Sequence, residues 1–312
     1  MGWRGLILTL LGGALLALPF VLPLFYVLLS MEIIILSLFS LSLNLLVGYT
    51  GMVSFGHAAY FALGAYTVGL LVKEVGVAMP WAFLAAPVVA ALGAAVFGFF
   101  CVRRTHAYFV MLTLAFSQIL WAITHKWYGL TGGDNGIIGI WPARWIAAPE
   151  HYYYFVLAVA GACTLVLWRL VESPFGYTLQ AIRENPQRAE FIGVPVRRYQ
   201  FIVFVIAGFF AGVAGALFAY FNGSVFPEFA FWIKSAEPLV AVIIGGTYYF
   251  WGPVAGSVVF KLLDTLITRY TEHWQIVLGA LILLIVLVFP TGVTGFDLQK
   301  VWWRRRWNRS RS

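Results

Sequence analysis

Few side chains in this sequence of 312 residues stand at spacings that support enzyme chemistry. It contains neither a G-x-x-x-x-G-K-[ST] phosphate-binding loop nor an H-E-x-x-H zinc motif. Ser54 lies among glycines in GYTGMVSFG, but the spacing is not the G-x-S-x-G of a nucleophile elbow. The five histidines (57, 106, 125, 151 and 273) are scattered, which favours structural or interfacial roles over metal ligation. The sequence therefore predicts a protein that is not an enzyme, with no metal and no cofactor bound by this chain.

A short polar segment, GYTLQAIRENPQRAEFIGVPVRR, interrupts an otherwise apolar sequence. Its pattern predicts two short helices joined by a bend. The first helix covers about 177–184, where Leu179 and Ile182 form an apolar face. The dipeptide Asn185-Pro186 ends it, because proline disfavours helical geometry in the residue before it.

The same dipeptide predicts the start of the second helix, over about 186–192. Asparagine is a good N-cap, and proline fits the first helical position. Ala189 and Ile192 lie on one side of this helix, and Gly193 stands where a left-handed C-cap is needed. Helices this short are not stable alone in water. We therefore expect this insert, about 169–199, either to pack on the chain's own surface or to dock in a groove of a partner protein.

The elements around the insert are predicted to be membrane helices. Of all residues 62% are hydrophobic and 10% charged, and the mean hydropathy is +0.89. Soluble domains carry about 25% charged residues. The net charge of +8 is attributed to membrane topology, and no binding of nucleic acid is predicted. The predicted fold class is an all-α integral membrane protein, a polytopic helical bundle forming a single transmembrane domain over residues 1–312.

Apolar runs divide the chain into about ten transmembrane or partial spans. They are predicted at about 6–29, 31–48, 53–72, 80–102, 107–126, 151–168, 200–220, 238–250, 253–269 and 275–290. The first is predicted to be a retained span and not a cleaved signal peptide, because the apolar sequence continues past Pro19 without a small-x-small site. The eighth is short and the ninth contains charges, which makes 238–269 the least regular part of the pattern.

The distribution of basic residues predicts that both termini are cytoplasmic. The cytoplasmic side would hold Arg4, Arg103, Arg104, Arg169, Arg183, Arg188, Arg197, Arg198 and the basic tail, 297–312. The outer side would hold Lys73, Lys126, Arg144, Lys234 and Arg269. This topology makes 127–150 an outer loop and places the insert, 169–199, in the cytoplasm.

Glycine-rich stretches within the spans are candidate parts of a translocation pathway. Irregular backbone at membrane depth is tolerated only where protein or water surrounds it, and transporters use broken helices to present backbone dipoles to substrates. The candidate pathway residues are Asn44, Gly48, Gly51, Ser54, Gly56, His57, Tyr60, Gly245 and Gly246. The alternative is close helix packing through small residues, which is the interpretation of 208–220.

Two charged residues, Lys261 and Asp264, fall inside a predicted span, three positions apart. Charges within a membrane are costly, so we predict that the two form a structural ion pair. A proton relay would need acidic partners in other spans. Glu32 lies near the outer end of its span and is not predicted to be such a partner.

At the insert, the sequence resembles a known family. The pattern Gly, then Ala-x-Arg-x-Asn-Pro-x-x-Ala, then Gly is similar to the cytoplasmic coupling loop of ABC importer permeases, above all the M-type (LivM-like) permease of branched-chain amino acid importers. Further similar stretches follow in the expected order and cover most of the chain: LSLNLLVGYTGMVSFGHAAYFALGAY, YFVMLTLAFSQIL, LTGGDNGI and GGTYYFWGPVAGSVV.

The resemblance implies a cell inner-membrane protein of a bacterium that works with partners. These would be a second, H-type permease, two ATPase subunits that bind ATP and Mg²⁺, and an extracytoplasmic solute-binding protein. It implies an ATPase-coupling role for Gly176, Ala181, Arg183, Glu184, Asn185, Pro186, Arg188, Ala189 and Gly193. Glu190-Phe191 departs from the family pattern, in which a second small residue is frequent.

The outer face would receive the loaded binding protein, with Gly132, Gly133, Asp134 and Asn135 as candidate contacts and an ordinary surface turn as the alternative. The implied substrate is a small neutral amino acid, branched-chain by family default. Three alternatives stay open: an importer of urea or short amides, an ion-coupled secondary transporter, and a channel. A secondary transporter would require buried carboxylates, and a channel would not need the insert.

Overall fold

A computed structural model describes residues 13, 15–103, 106–270, 273–289 and 292–295. Arg4, Arg104 and the predicted basic tail, 297–312, lie outside the described residues.

The described chain is built almost entirely from helices. Residues 15–21 are helical. The helices that follow are α1 (Leu24–Thr50), α2 (His57–Lys73), α3 (Met79–Cys101), α4 (His106–Lys126), α5 (Tyr128–Thr131), α6 (Pro149–Val171), α7 (Pro174–Glu184), α8 (Pro186–Phe191), α9 (Val196–Asn222), α10 (Trp232–Gly245), α11 (Gly252–Tyr270) and α12 (Trp274–Val288). Two short strands, β1 (Ile137–Ile138) and β2 (Ser224–Val225), pair antiparallel and join the loop after α5 to the end of α9.

Five of these helices are long and apolar enough to cross a membrane: α1, α3, Ala107–Lys126 of α4, α6 and α9. Their mean hydropathy over 18 residues lies between 1.6 and 2.5. A helix of 20 residues spans about 30 Å, which matches the hydrocarbon thickness of a bilayer. The fold class predicted from composition, a polytopic helical membrane protein, is confirmed at this level.

The predicted boundary between the first two spans, 6–29 and 31–48, is wrong. Helix α1 begins at Leu24, directly after Pro23, and runs without interruption to Thr50. Proline has no N–H to continue a preceding helix, so it sets the boundary. Ser30 does not break α1, because its hydroxyl donates a hydrogen bond of 2.8 Å to the carbonyl of Val27 within the same helix.

The predicted span 238–250 is also misplaced. Helix α10 covers Trp232–Gly245, so it begins six residues earlier and includes Lys234 and Glu237. It ends where Gly246 adopts a φ of +108°, a conformation that L side chains rarely adopt. With 14 residues, α10 is about 21 Å long and forms only a partial span.

The core forms around α9, which packs closely against α3 and α2 through small residues. A Cβ on Gly212 would overlap the Cβ of Ala90, and one on Gly64 would overlap the backbone of Gly212. A Cβ on Gly215 would meet the carbonyl of Phe61. The prediction that 208–220 packs through small residues is confirmed.

Enlarging one of these contacts should destabilise the bundle. We expect Gly212→Leu to lower the free energy of unfolding by about 1–3 kcal/mol, because α9 and α3 must separate to accept the side chain. The matched control is Gly161→Leu, at an exposed position of α6 with no heavy atom near its Cβ site. The midpoint of thermal unfolding in one detergent checks this, and equal midpoints for the two variants would contradict it.

Candidate functional site

The polar insert folds as two helices, as its sequence predicts. Helix α7 ends at Glu184, and Asn185 then takes an extended conformation. The side-chain oxygen of Asn185 accepts a hydrogen bond of 2.9 Å from the backbone N–H of Arg188, and Pro186 occupies the first position of α8. Gly193 has a φ of +90° just after α8. Capping residues therefore define both helices of the insert.

One side of the insert packs on the chain itself. Leu179 and Ile182 of α7 and Ala189 of α8 are buried. Ile182 and Ala189 form a small apolar cluster with Val196 at the start of α9. Gly176 is also buried, since a Cβ there would overlap the carbonyl of Val171. The sequence left open whether the insert packs on this chain or on a partner, and this face packs on the chain.

The tip of the insert is apolar and uncovered. Phe191 is 90% exposed and Ile192 is 79% exposed. The prediction that Ile192 lies on the same side of this helix as Ala189 is wrong, because α8 ends at Phe191 and the backbone turns at Ile192 before reaching Gly193. Ala181, Glu184, Arg188 and Gly193 are likewise exposed. The insert thus presents a second face, with two large apolar side chains, away from the bundle.

Arg183 joins the insert to two helix ends in the bundle. Its Nη1 donates a hydrogen bond to the backbone carbonyl of Gly48, near the end of α1. Its guanidinium carbon lies 4.7 Å from the centre of the Tyr248 ring, in the break between α10 and α11. Gly51, the left-handed C-cap of α1 with φ +71°, lies directly beside the Arg183 side chain. One side chain of the insert therefore contacts both the end of α1 and the break between α10 and α11.

The two helix breaks also contact each other. A Cβ on Gly48 would overlap the backbone carbonyl of Thr247, in the α10–α11 break, and the side-chain oxygen of Asn44. Gly245 and Gly252 approach backbone to backbone, which closes the second break. Asn44 is 1% exposed, and its amide has no hydrogen-bond partner among the described residues.

The remaining candidate pathway residues lie in packed protein. His57 is fully buried, with Nε2 at 2.8 Å from the Ser42 hydroxyl oxygen and its ring stacked on Phe39. Tyr60 is buried beside the His57 ring, and the Ser54 hydroxyl oxygen accepts a hydrogen bond of 3.3 Å from the Gly56 N–H. Among Asn44, Gly48, Gly51, Ser54, Gly56, His57, Tyr60, Gly245 and Gly246, all but Gly51 are buried. Their role in a pathway stays a prediction.

The predicted outer loop contains an ordered turn. Gly133–Asn135 form a single 3-10 turn between glycines with positive φ. Asp134 is exposed and pairs with His125 at 2.9 Å, and Asn135 is exposed, whereas Gly132 is partly buried and Gly133 is buried. Helix α4 has 21 residues and is about 30 Å long. It separates this turn from the end of the bundle on which the insert packs.

The predicted ion pair of Lys261 and Asp264 is present, but it has a third member that sequence reasoning missed. Lys261 Nζ lies 3.2 Å from Asp264 Oδ2 and 2.8 Å from Glu32 Oε2. Glu32 belongs to α1 and Lys261 to α11, so the contact joins two helices that are far apart in the sequence. The only signal in the sequence is that Glu32, a carboxylate within an apolar run, needs a basic partner because an unpaired charge in a membrane is costly, and this signal does not identify the partner.

These features define a multi-pass helical membrane protein with two closely packed helix breaks joined by a polar insert. Residues 25–286 match the sequence profile of a family described as the permease component of branched-chain amino acid transport systems. Because the match extends over most of the chain, the protein belongs to this permease family.

Several named permeases are similar to the chain. It is 27% identical over 280 residues to the high-affinity branched-chain amino acid permease LivM of Escherichia coli K12. This alignment covers 81% of this chain and 66% of LivM. It is 23% identical to LivH of the same strain over 83% of this chain and 91% of the relative. It is 26% identical to a probable LivH of Methanocaldococcus jannaschii, in an alignment that covers 86% of this chain and 90% of the relative.

The chain thus spans slightly less than two thirds of the length of the LivM relative, and nearly all of the LivH relatives. No solved structure matches it.

Proposed function

We propose that this protein is a membrane-spanning permease subunit of an ABC importer for branched-chain amino acids, located in the inner membrane of a bacterium. It would form half of the translocation pathway together with a second, related permease. Two ATPase subunits would supply the energy and bind ATP and Mg²⁺, and an extracytoplasmic binding protein would deliver the substrate. Family membership and the names of the LivM and LivH relatives support this assignment.

We propose ten spans or partial spans with both termini in the cytoplasm. The contacts of Arg183 support part of this topology, because they bring the insert to the same end of the bundle as the α1–α2 and α10–α11 breaks. Helix α4 runs from this end to the Gly133–Asn135 turn. With the insert in the cytoplasm, that turn faces outward, and the exposed Asp134 and Asn135 become contacts for the loaded binding protein.

The observation that carries the proposed mechanism is the bridge formed by Arg183. A partner can shift a transporter between two states only if it binds them with different free energies. In the proposed mechanism the ATPase subunits hold the exposed tip of the insert, Phe191 and Ile192. Movement of the insert is then transmitted through Arg183 to the Gly48 carbonyl and to Tyr248. Both helix breaks would move together, because they are packed on each other at Gly48 and Thr247.

Competition for uptake tests the substrate assignment. In vesicles that contain the assembled importer, we expect excess isoleucine or valine to abolish uptake of labelled leucine. Excess urea or acetamide should leave it unchanged, since neither offers the apolar side chain and paired charges of these amino acids. If instead labelled urea is taken up and leucine is not, the branched-chain assignment is wrong.

A further inference from the structure

A charged cavity of about 320 Å³ lies between α1, α10, α11 and α12, apart from the candidate pathway residues. Five ionisable side chains line it: Glu32, Lys234, Glu237, Lys261 and Asp264. Each of them is between 20% and 33% exposed. These side chains are therefore partly buried.

The five charges need a polar environment. Ionisable residues in spans almost always face a bundle interior or a water-filled cavity, because hydrocarbon does not solvate them. Three carboxylates and two ammonium groups also leave one negative charge in excess within the cluster. Glu32 stands 16 residues before Gly48 on α1, about 24 Å along the helix, which puts the cluster well away from the Arg183 bridge.

The two ammonium groups have different surroundings. Lys261 is shared between Glu32 at 2.8 Å and Asp264 at 3.2 Å, so this side of the cavity is acidic. Lys234 has one carboxylate partner, Glu237 at 2.7 Å. The cavity thus has a side rich in carboxylates and a side on which one ammonium group has a single carboxylate partner.

Aromatic and aliphatic side chains form the rest of the wall. Lys234 Nζ lies 5.0 Å from the ring centre of Phe218 and 5.8 Å from that of Phe61, at distances at which a cation is attracted to a ring. The apolar lining continues with Leu36, Phe39, Phe260, Leu278 and Ile282. A volume of about 300 Å³ is at the lower end for ligand pockets, which suits a small solute.

We propose that this cavity is a binding site for a zwitterionic amino acid with an apolar side chain. The substrate ammonium group lies against Glu32 and Asp264, its carboxylate lies at Lys234, and its side chain lies on the apolar wall. This inference rests on the proposed function, since it names the place where the imported solute pauses within the permease. Such a site would select zwitterions over urea and short amides, which carry no charges to pair with the two sides of the cavity.

A charge swap distinguishes this site from a structural ion pair. Lys234→Glu combined with Glu237→Lys keeps the pair, with an acidic residue now N-terminal to a basic one on the helix, an order that helices favour. We expect the assembled importer to keep its midpoint of thermal unfolding and to lose about tenfold or more of its leucine uptake, because the substrate carboxylate now meets a carboxylate. Uptake equal to that of the unaltered importer would overturn the proposal.

The matched control exchanges two exposed charges at the end of α2, by Lys73→Glu with Glu74→Lys. Exposed charged side chains contribute little to stability, so uptake should stay within about twofold of that of the unaltered importer. If the unaltered importer itself takes up no leucine, the proposed function fails, and the swap is then judged by the labelling experiment that follows.

Thiol labelling reports on the cavity without transport. Ala236 lines the cavity, whereas Ile243, on the same helix, does not. With Cys101 and Cys163 replaced by alanine, Ala236→Cys should react with a water-soluble methanethiosulfonate reagent, and Ile243→Cys is the control outside the cavity, where added leucine should not change the rate of labelling. Labelling of this chain is followed by mass spectrometry in the assembled importer.

Ligand protection then tests the charge requirement. Leucine should slow the labelling of Ala236→Cys, while leucinamide and 4-methylpentanoate, which each lack one of the two charges, should protect much less. Equal protection by all three, or none by leucine, would overturn the proposal. Protection by leucine in an importer that does not transport it would support the cavity and contradict the proposed function.

Discussion

Arg183→Glu should reduce substrate uptake by about two orders of magnitude while the importer stays assembled. The change removes the hydrogen bond to the Gly48 carbonyl and the cation from the face of Tyr248. A charged hydrogen bond contributes about 1.5–3 kcal/mol and a cation–π contact about 0.5–2 kcal/mol. The new carboxylate also repels the carbonyl oxygen and the negative face of the ring, so the insert no longer holds the two helix breaks.

The measurement pairs uptake with ATP hydrolysis by the same complex. We expect hydrolysis to continue but to lose its stimulation by the loaded binding protein. Arg198→Glu is the matched control, because it makes the same charge change at an exposed position at the start of α9. Normal uptake, together with normal stimulation of ATP hydrolysis by the loaded binding protein, would contradict the proposed coupling through Arg183.

Replacing the exposed tip, by Phe191→Asp with Ile192→Asp, should prevent the ATPase subunits from co-purifying with this chain. Burying a large apolar side chain contributes about 1.5–3 kcal/mol, so two of them account for about 3–6 kcal/mol of binding. Aspartates at the same positions would have to be desolvated in the partner's groove. We expect affinity for the ATPase subunits to fall by about a hundredfold or more.

Tyr270→Asp provides the control for the tip variant. Tyr270 is 82% exposed at the end of α11, so the change also replaces a large exposed side chain by a carboxylate, far along the helix from the Tyr248 break. The ATPase subunits should co-purify normally with this variant. Their normal co-purification with the Phe191 and Ile192 variant would show that the tip is not where they bind.

The insert could be predicted well because its signals are local. Asn185 and Pro186 define the bend through the N-cap bond to Arg188, and Gly193 takes the left-handed conformation expected of a C-cap glycine. Leu179 and Ala189 are buried as their spacing indicates. The helical spacing misplaces Ile192, because α8 ends one residue before it and the backbone turns there.

The charged cavity could not be predicted, because it depends on contacts between distant parts of the chain. Glu32 meets Lys261 only because α1 packs on α11, and no local pattern encodes that contact. The start of α10 was missed for a related reason. Lys234 and Glu237 look like loop residues in an apolar sequence, but their pairing and the nearby aromatic rings make them compatible with a helix.

Glycine-rich sequence does not by itself distinguish a pathway from close packing. Gly51 and Gly245 end helices α1 and α10, but Gly48 stays within α1, and the two breaks are closed by direct backbone contacts. His57, with its neighbours Ser42 and Phe39, is enclosed by protein. Whether such a segment opens depends on a second state of the transporter, which residue types and spacing do not specify.

Uphill accumulation tests most directly whether this chain moves solute only when separate ATPase subunits hold its insert. Vesicles would contain this chain, the second permease and both ATPase subunits, with ATP on the ATPase side and the loaded binding protein on the other. We predict that they concentrate labelled leucine above its external level, and that vesicles without the ATPase subunits do not. Uphill accumulation by this chain reconstituted alone would contradict this dependence on the ATPase subunits.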